Sequence, residues 1–135
     1  MTRAQALEAL VLLARSERQV CMATADCLIA AGLKVIEVAR TDEALSYLEC
    51  RADIHLVITE IDMPGGLGGL DLARFVIRRW PHIGIIVLGW PTHPTPSLPQ
   101  AVTFLAQPCP SNSLAEQARA QLAAFPRPAG ETQLR

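Results

Sequence analysis

Continuous apolar runs of strand length alternate along this chain with stretches of helical periodicity. Residues 9–14 read Ala-Leu-Val-Leu-Leu-Ala. A run without polar alternation indicates burial on both faces, as in a parallel sheet. Ser16-Glu17-Arg18-Gln19 then reads as a capping box, with Ser16 as the cap of a helix. Val20, Thr24, Cys27, Leu28 and Ala31 share one helical face, and Gly32 closes that helix. Residues 33–38 predict a second strand. Thr41 is placed to cap a second helix, with Asp42 and Glu43 beside its N-terminal dipole. Ala44, Leu45 and Leu48 form its buried stripe. Residues 54–59 predict a third strand, and the glycine-rich stretch 65–69 a flexible loop. Leu70, Ala73, Ile77 and Trp80 mark the inner face of a third helix that stops at Pro81. Residues 83–88 predict a fourth strand. Four prolines among residues 91–99 forbid a regular helix there. They leave a rigid surface loop or an extended segment offered to a partner. Residues 101–106 predict a fifth strand, and a last helix begins at Ser111 or Ser113 and runs to about Ala124.

Five strands alternating with helices imply an α/β sheet covered on both faces. The simplest arrangement is a flavodoxin-like (βα)5 three-layer sandwich with a parallel sheet in the order 2-1-3-4-5 and a short or missing fourth helix. Ligands of such sheets bind beyond the C-terminal ends of the strands. The residues expected at that rim are Arg15, Ser16, Glu60, Gly89, Trp90 and Gln107. Residues 1–8 read as an N-terminal extension, 9–124 as one domain and 125–135 as a disordered tail.

Composition narrows the function. Half of the 135 residues are apolar, which suffices for a core. Twelve basic and 13 acidic side chains nearly balance, and no basic run suggests direct contact with nucleic acid. No apolar stretch has the ~18–20 residues of a membrane span, and the first residues lack a signal-peptide plan. A cytoplasmic location is the resulting expectation. Cys21, Cys27, Cys50 and Cys109 lack zinc-ligand spacing and read as reduced, mostly buried thiols. His55, His82 and His93 read as isolated surface or loop residues. No metal or cofactor is expected.

The segment Leu56-Val57-Ile58-Thr59-Glu60-Ile61-Asp62-Met63-Pro64-Gly65 resembles the third strand and following loop of response-regulator receiver domains. Ala30-Ala31-Gly32-Leu33-Lys34-Val35, Asp42-Glu43-Ala44-Leu45, Gly69-Leu70-Asp71-Leu72-Ala73 and Phe104-Leu105-Ala106-Gln107-Pro108 resemble other receiver segments, in order. The resemblance spans about residues 10–124. It implies the CheY-like fold and a role in bacterial two-component phosphorelay signalling. It also implies where the reactive groups would lie, and each of those positions is changed. Glu60 stands at the phosphoacceptor aspartate. Arg15 and Ser16 stand at the paired metal-binding acids, Gly89 at the hydroxyl residue and Gln107 at the lysine. Phe104 stands at the switch aromatic, or is a plain core ring.

Phosphoryl transfer depends on cations placed around the transferred oxygens, and magnesium needs hard oxygen ligands. A fixed cation at Arg15 opposes both. The expected function is therefore a pseudo-receiver, not an enzyme. It would act by contact with a protein partner such as a sensor histidine kinase, a phosphotransfer protein or a second copy of itself. The alternative is a small-ligand or cofactor-binding module using the crevice around Trp90. Several finer readings stand beside this one. Arg15 and Glu60 should form a clasp, bidentate in its strongest form. Glu60 is either a standing mimic of a phosphorylated aspartate or without signalling meaning. Trp90 is either an interaction anchor or, preferably, a plug for the vacated site. The glycines of 65–69 lack the context of a phosphate-binding loop.

Overall fold

The structure, a computed structural model, describes residues 9–91 and 101–124. Its strands are β1 (Leu10–Ala14), β2 (Lys34–Val38), β3 (Ile54–Glu60), β4 (Gly84–Gly89) and β5 (Val102–Ala106). Its helices are α1 (Arg18–Ala30), α2 (Thr41–Cys50), α3 (Gly69–Arg79) and α4 (Ser111–Ala124). All strand pairs are parallel, in the order β2-β1-β3-β4-β5. This is the flavodoxin-like arrangement expected from the alternation of elements. The extension 1–8, most of the proline-rich segment (92–100) with its short or missing helix, and the tail 125–135 lie outside the described residues. No described helix is long and apolar enough to cross a membrane.

The continuous apolar runs divide into two cores because neighbouring residues of a strand face opposite sides. Val11, Leu13, Leu56, Ile58, Ile86 and Leu88 pack with Leu28 of α1 and with Leu114 and Leu122 of α4. Leu10, Leu12, Val57, Ile85 and Val87 pack with Leu48 of α2 and with Leu72 and Val76 of α3. The sheet is thus sandwiched between two helical layers.

Several local expectations are corrected. Strand β1 pairs Leu10 with Ile54 but Val11 with Leu56, so His55 is the extra residue of a bulge. Its Nδ1 accepts a hydrogen bond from the Leu10 N–H at 3.2 Å, which makes it a half-buried strand residue rather than a surface histidine. Helix α1 buries Cys21, Thr24, Ala25 and Leu28, a stripe turned slightly from the predicted one. Helix α3 buries Leu72, Ala73 and Val76, while Leu70, Ile77 and Trp80 flank the core. Neither Ser16 nor Thr41 caps a helix: the N-cap residues of α1 and α2 are Glu17 and Arg40, without side-chain cap bonds. The Thr41 hydroxyl donates instead to the loop carbonyls of Pro64 and Leu67, at 3.2 and 2.8 Å. The glycine-rich loop is therefore pinned to the start of α2. The C-terminus of α1 closes as expected. Gly32 (φ 93°) lets its own N–H reach Ile29 and that of Leu33 reach Leu28, the Schellman pattern.

Candidate functional site

Strands β1 and β3 are register neighbours with Ala14 opposite Thr59, so the next residues, Arg15 and Glu60, leave the sheet side by side. Gly69 holds the end of β3. A Cβ on this glycine would collide with the Glu60 carbonyl, so only glycine lets α3 begin there. The Gly69 N–H donates to the Ile61 carbonyl at 2.8 Å. The backbone under Glu60 is thus fixed by the start of the following helix.

The Glu60 carboxylate points toward β1. Arg15 Nε donates to its Oε2 at 3.0 Å. The Ser16 N–H and the Ser16 hydroxyl both donate to Oε1, each at 3.2 Å. The ion pair is largely shielded, with side-chain exposures of 6% for Arg15 and 15% for Glu60. The clasp differs from the bidentate form in one respect. The second arm of the guanidinium, Nη1, donates to Thr24 Oγ1 at 3.2 Å. Thr24 is fully buried. Its hydroxyl donates to the Val20 carbonyl at 2.9 Å and lies 3.2 Å from Ser111 Oγ. The network therefore runs from β3 through β1 and α1 to the first residue of α4. Sequence reasoning placed Thr24 on the buried face of α1 without a role. The available signal was a lone hydroxyl in an apolar stripe, which must find a partner when buried.

Cys21 lies on the same helix. Burial pushes its thiol up to about 11, with the Glu37 carboxylate adding to the shift and Arg15 opposing it. This thiol stays protonated at neutral pH and is unreactive.

The other half of the rim is different in kind. Gly89 ends β4, and a Cβ there would meet Ile61 Cδ1 at 2.5 Å and Phe104 Cε1 at 2.8 Å. The ring of Phe104 thus lies inward over the glycine, with Ile61 beside it. Gln107 is 8% exposed. Its N–H donates to the Gly89 carbonyl at 2.8 Å. Trp90 is 48% exposed. It borders the crevice and does not plug it.

These residues enclose a crevice of about 430 Å³. Arg15, Ser16, Glu17, Glu60, Asp62, Trp90, Gln107 and Ser111 line it, together with apolar atoms of Val20, Ile61 and Leu88. Gly89 contributes through the packing beneath the crevice and not through its wall. Among the described residues no group of three His, Cys, Asp or Glu side chains is arranged to hold a metal ion.

No protein-family model matches the sequence. Solved structures match it over most of its length. The receiver domain of the hybrid histidine kinase CckA has a TM-score of 0.70 at 27% identity, covering 84% of this chain and 99% of its own. The chemotaxis response regulator CheY4 of Vibrio cholerae gives 0.71 at 20% identity, with 84% and 98% covered. The response regulator TrrA from Thermotoga maritima, solved in complex with magnesium and beryllofluoride, gives 0.74 at 20% identity, with 83% and 97% covered. The chain has the CheY-like receiver fold of response regulators, and the crevice lies at the C-terminal rim of its sheet.

Proposed function

We propose that this chain is a pseudo-receiver, a protein-interaction module of bacterial two-component signalling that does not accept a phosphoryl group. The observation that carries this reading is the Arg15–Glu60 clasp. Both carboxylate oxygens of Glu60 are engaged, one by the guanidinium and one by the Ser16 backbone and hydroxyl. A divalent cation needs free hard oxygens and no cation among them. The residues at the rim do not fit magnesium, since Arg15 is the immediate neighbour of the one strand-end carboxylate. Gly89 and Gln107 add no hydroxyl or cation for transferred oxygens. Glu60 also turns toward β1, away from Gly89 and Phe104, which speaks against its acting as a standing phosphoaspartate mimic.

The partner in this reading is a protein: a sensor histidine kinase, a phosphotransfer protein or a second copy of the chain. Binding would take place in the cytoplasm without direct contact with nucleic acid or membrane. The test uses the ligand seen on the Thermotoga maritima receiver. Melting is followed with and without magnesium and beryllofluoride. The expected midpoint is unchanged. A saturable rise would contradict the proposal, because a ligand that binds only the folded state must raise it.

A further inference from the structure

The end of the sheet opposite Glu60 holds a second cavity, of about 330 Å³. The starts of β3, β4 and β5 lie side by side there, with Leu56 opposite Gly84 and Ile85 opposite Val102. Along β3, Leu56 stands about 13 Å from Glu60 at the usual strand rise. The last turn of α4 covers this end, where Leu122 enters the core and Gln121 leans over the sheet. Gln121 Oε1 is shielded from solvent and has no hydrogen-bond partner, and no other side-chain atom among the described residues is in that position. Buried carbonyl groups nearly always find a donor, so this one calls for an explanation. Gly84 is the second observation. A Cβ there would meet Gln121 Nε2 at 3.0 Å and Leu56 Cδ1 at 3.2 Å. Glycine weakens a strand and often marks a place where another group comes close. Here it keeps the space beneath the amide open. The terminal torsion of a glutamine is broad and roughly two-fold, so a turn of the amide brings Oε1 to the place above Gly84 that Nε2 holds.

We propose that this cavity binds a small neutral molecule with a lactam-like edge, an N–H beside a carbonyl. The Gln121 amide is the complement of such an edge: its oxygen accepts from the N–H while its nitrogen donates to the carbonyl, as a glutamine does on the edge of a base. Neutrality follows from the lining. No Asp, Glu, Lys or Arg is among the described residues that form it, so an ionic ligand would give up its hydration without a counter-charge. His55 is a neutral ring there, since its Nδ1 accepts from the Leu10 N–H. Leu56, Pro81, Ile83 and Leu122 supply apolar walls. Apolar walls with a few convergent polar groups, in a volume of about 300–1,000 Å³, are the usual make-up of a small-molecule site. The site is remote from the Arg15–Glu60 clasp and is independent of whether the chain accepts a phosphoryl group.

The full chain, labelled with nitrogen-15, is titrated with 2-pyridone and with 2-quinolinone, two neutral lactams of different size. The N-methyl derivative of each, which lacks the donor, is its control, and quinoline-2-carboxylate is the anionic control. At least one lactam should give saturable shifts at the Gln121 side-chain amide and at the Gly84 and Thr103 N–H groups. The Ser16 N–H, bound to Glu60 at the other end of the sheet, should not move. The lactam should bind about fivefold or more tightly than its N-methyl derivative. Gln121→Leu, close in volume, should erase that preference. Gly84→Ala, which presses on the amide and on Leu56, should weaken the lactam about threefold or more. If Gly84→Ala fails to fold, Gln121→Leu decides alone. Four results would overturn the proposal: no saturable shift with either lactam, which leaves the cavity to water; equal binding of the N-methyl derivatives; tighter binding of the carboxylate than of the lactams; or an undiminished preference for the N–H in Gln121→Leu.

Discussion

The two halves of the rim solve different physical problems. On the β1–β3 side a carboxylate sits in a largely shielded position, and every neighbour is committed to it: Arg15, the Ser16 N–H and the Ser16 hydroxyl, with Thr24 holding the far side of the guanidinium. On the β4–β5 side Gly89 is covered by Ile61 and Phe104, and Gln107, which carries no charge, lines the crevice. The difference follows from desolvation. A shielded charge is very costly unless it is paired, so Glu60 requires a built-in cation. A position without hydroxyl or charge has no such requirement and can be filled by neighbouring apolar groups.

The contrast is broken most strongly by removing the cation. Arg15→Ala leaves Glu60 and Thr24 without their common partner. By the behaviour of broken buried pairs it should cost about 3 kcal/mol in urea unfolding. The matched change at the exposed pair Arg51–Asp53, with exposures of 44% and 57%, should cost less than about 1 kcal/mol. Equal losses at the two sites would show that the clasp is solvated and structurally minor.

On the apolar side, Gly89→Ala should destabilise by about 1–2 kcal/mol, because Ile61 and the Phe104 ring must both yield to the new methyl. Pairing it with Ile61→Val, which removes the nearest atom, should recover part of the loss. A Gly89→Ala variant as stable as the parent would mean that the Phe104 ring is free to leave. Thr24→Val should cost about 1 kcal/mol by unpairing one guanidinium arm. Its effect should shrink in an Arg15→Ala background, and a double-mutant cycle reads that coupling.

The smallest effect concerns Cys21. Its thiol has an ordinary value of 9.0 raised to about 11, so the folded state favours the protonated form. Its contribution to stability is complete below about pH 9 and is lost as the pH rises toward 11. At pH 8, iodoacetamide should modify the exposed Cys50 well before Cys21, as read by peptide mass mapping. Comparable rates would mean that α1 opens readily near the clasp.

The strands were legible because a sheet buried on both faces leaves continuous apolar runs, and these appear in the chain at residues 9–14, 54–59 and 83–88. Helix phase was less legible. In α3, Leu70 and Ile77 flank the same stripe as Leu72 and Val76, and periodicity alone does not say which set is central. The caps failed for a tertiary reason: Ser16 and Thr41 are good cap residues, but Glu60 and the Pro64 and Leu67 carbonyls claim their hydroxyls. The adjacency of Arg15 and Glu60 followed from parallel pairing of β1 with β3 and from the matching charges. The single hydrogen bond of the pair did not, since it depends on Thr24, nine residues further along the chain. The bulge at His55 left no mark in the sequence beyond a polar residue within an apolar run.

The proposal that an internal clasp takes the place of phosphoryl chemistry on this receiver fold is tested most directly by intact mass measurement. The purified chain is incubated with acetyl phosphate and millimolar magnesium beside a receiver that retains its aspartate and metal-binding acids. That control should gain one phosphoryl group, and this chain should keep its unmodified mass. A stoichiometric gain of one phosphoryl group here, abolished by Glu60→Ala, would contradict the proposal.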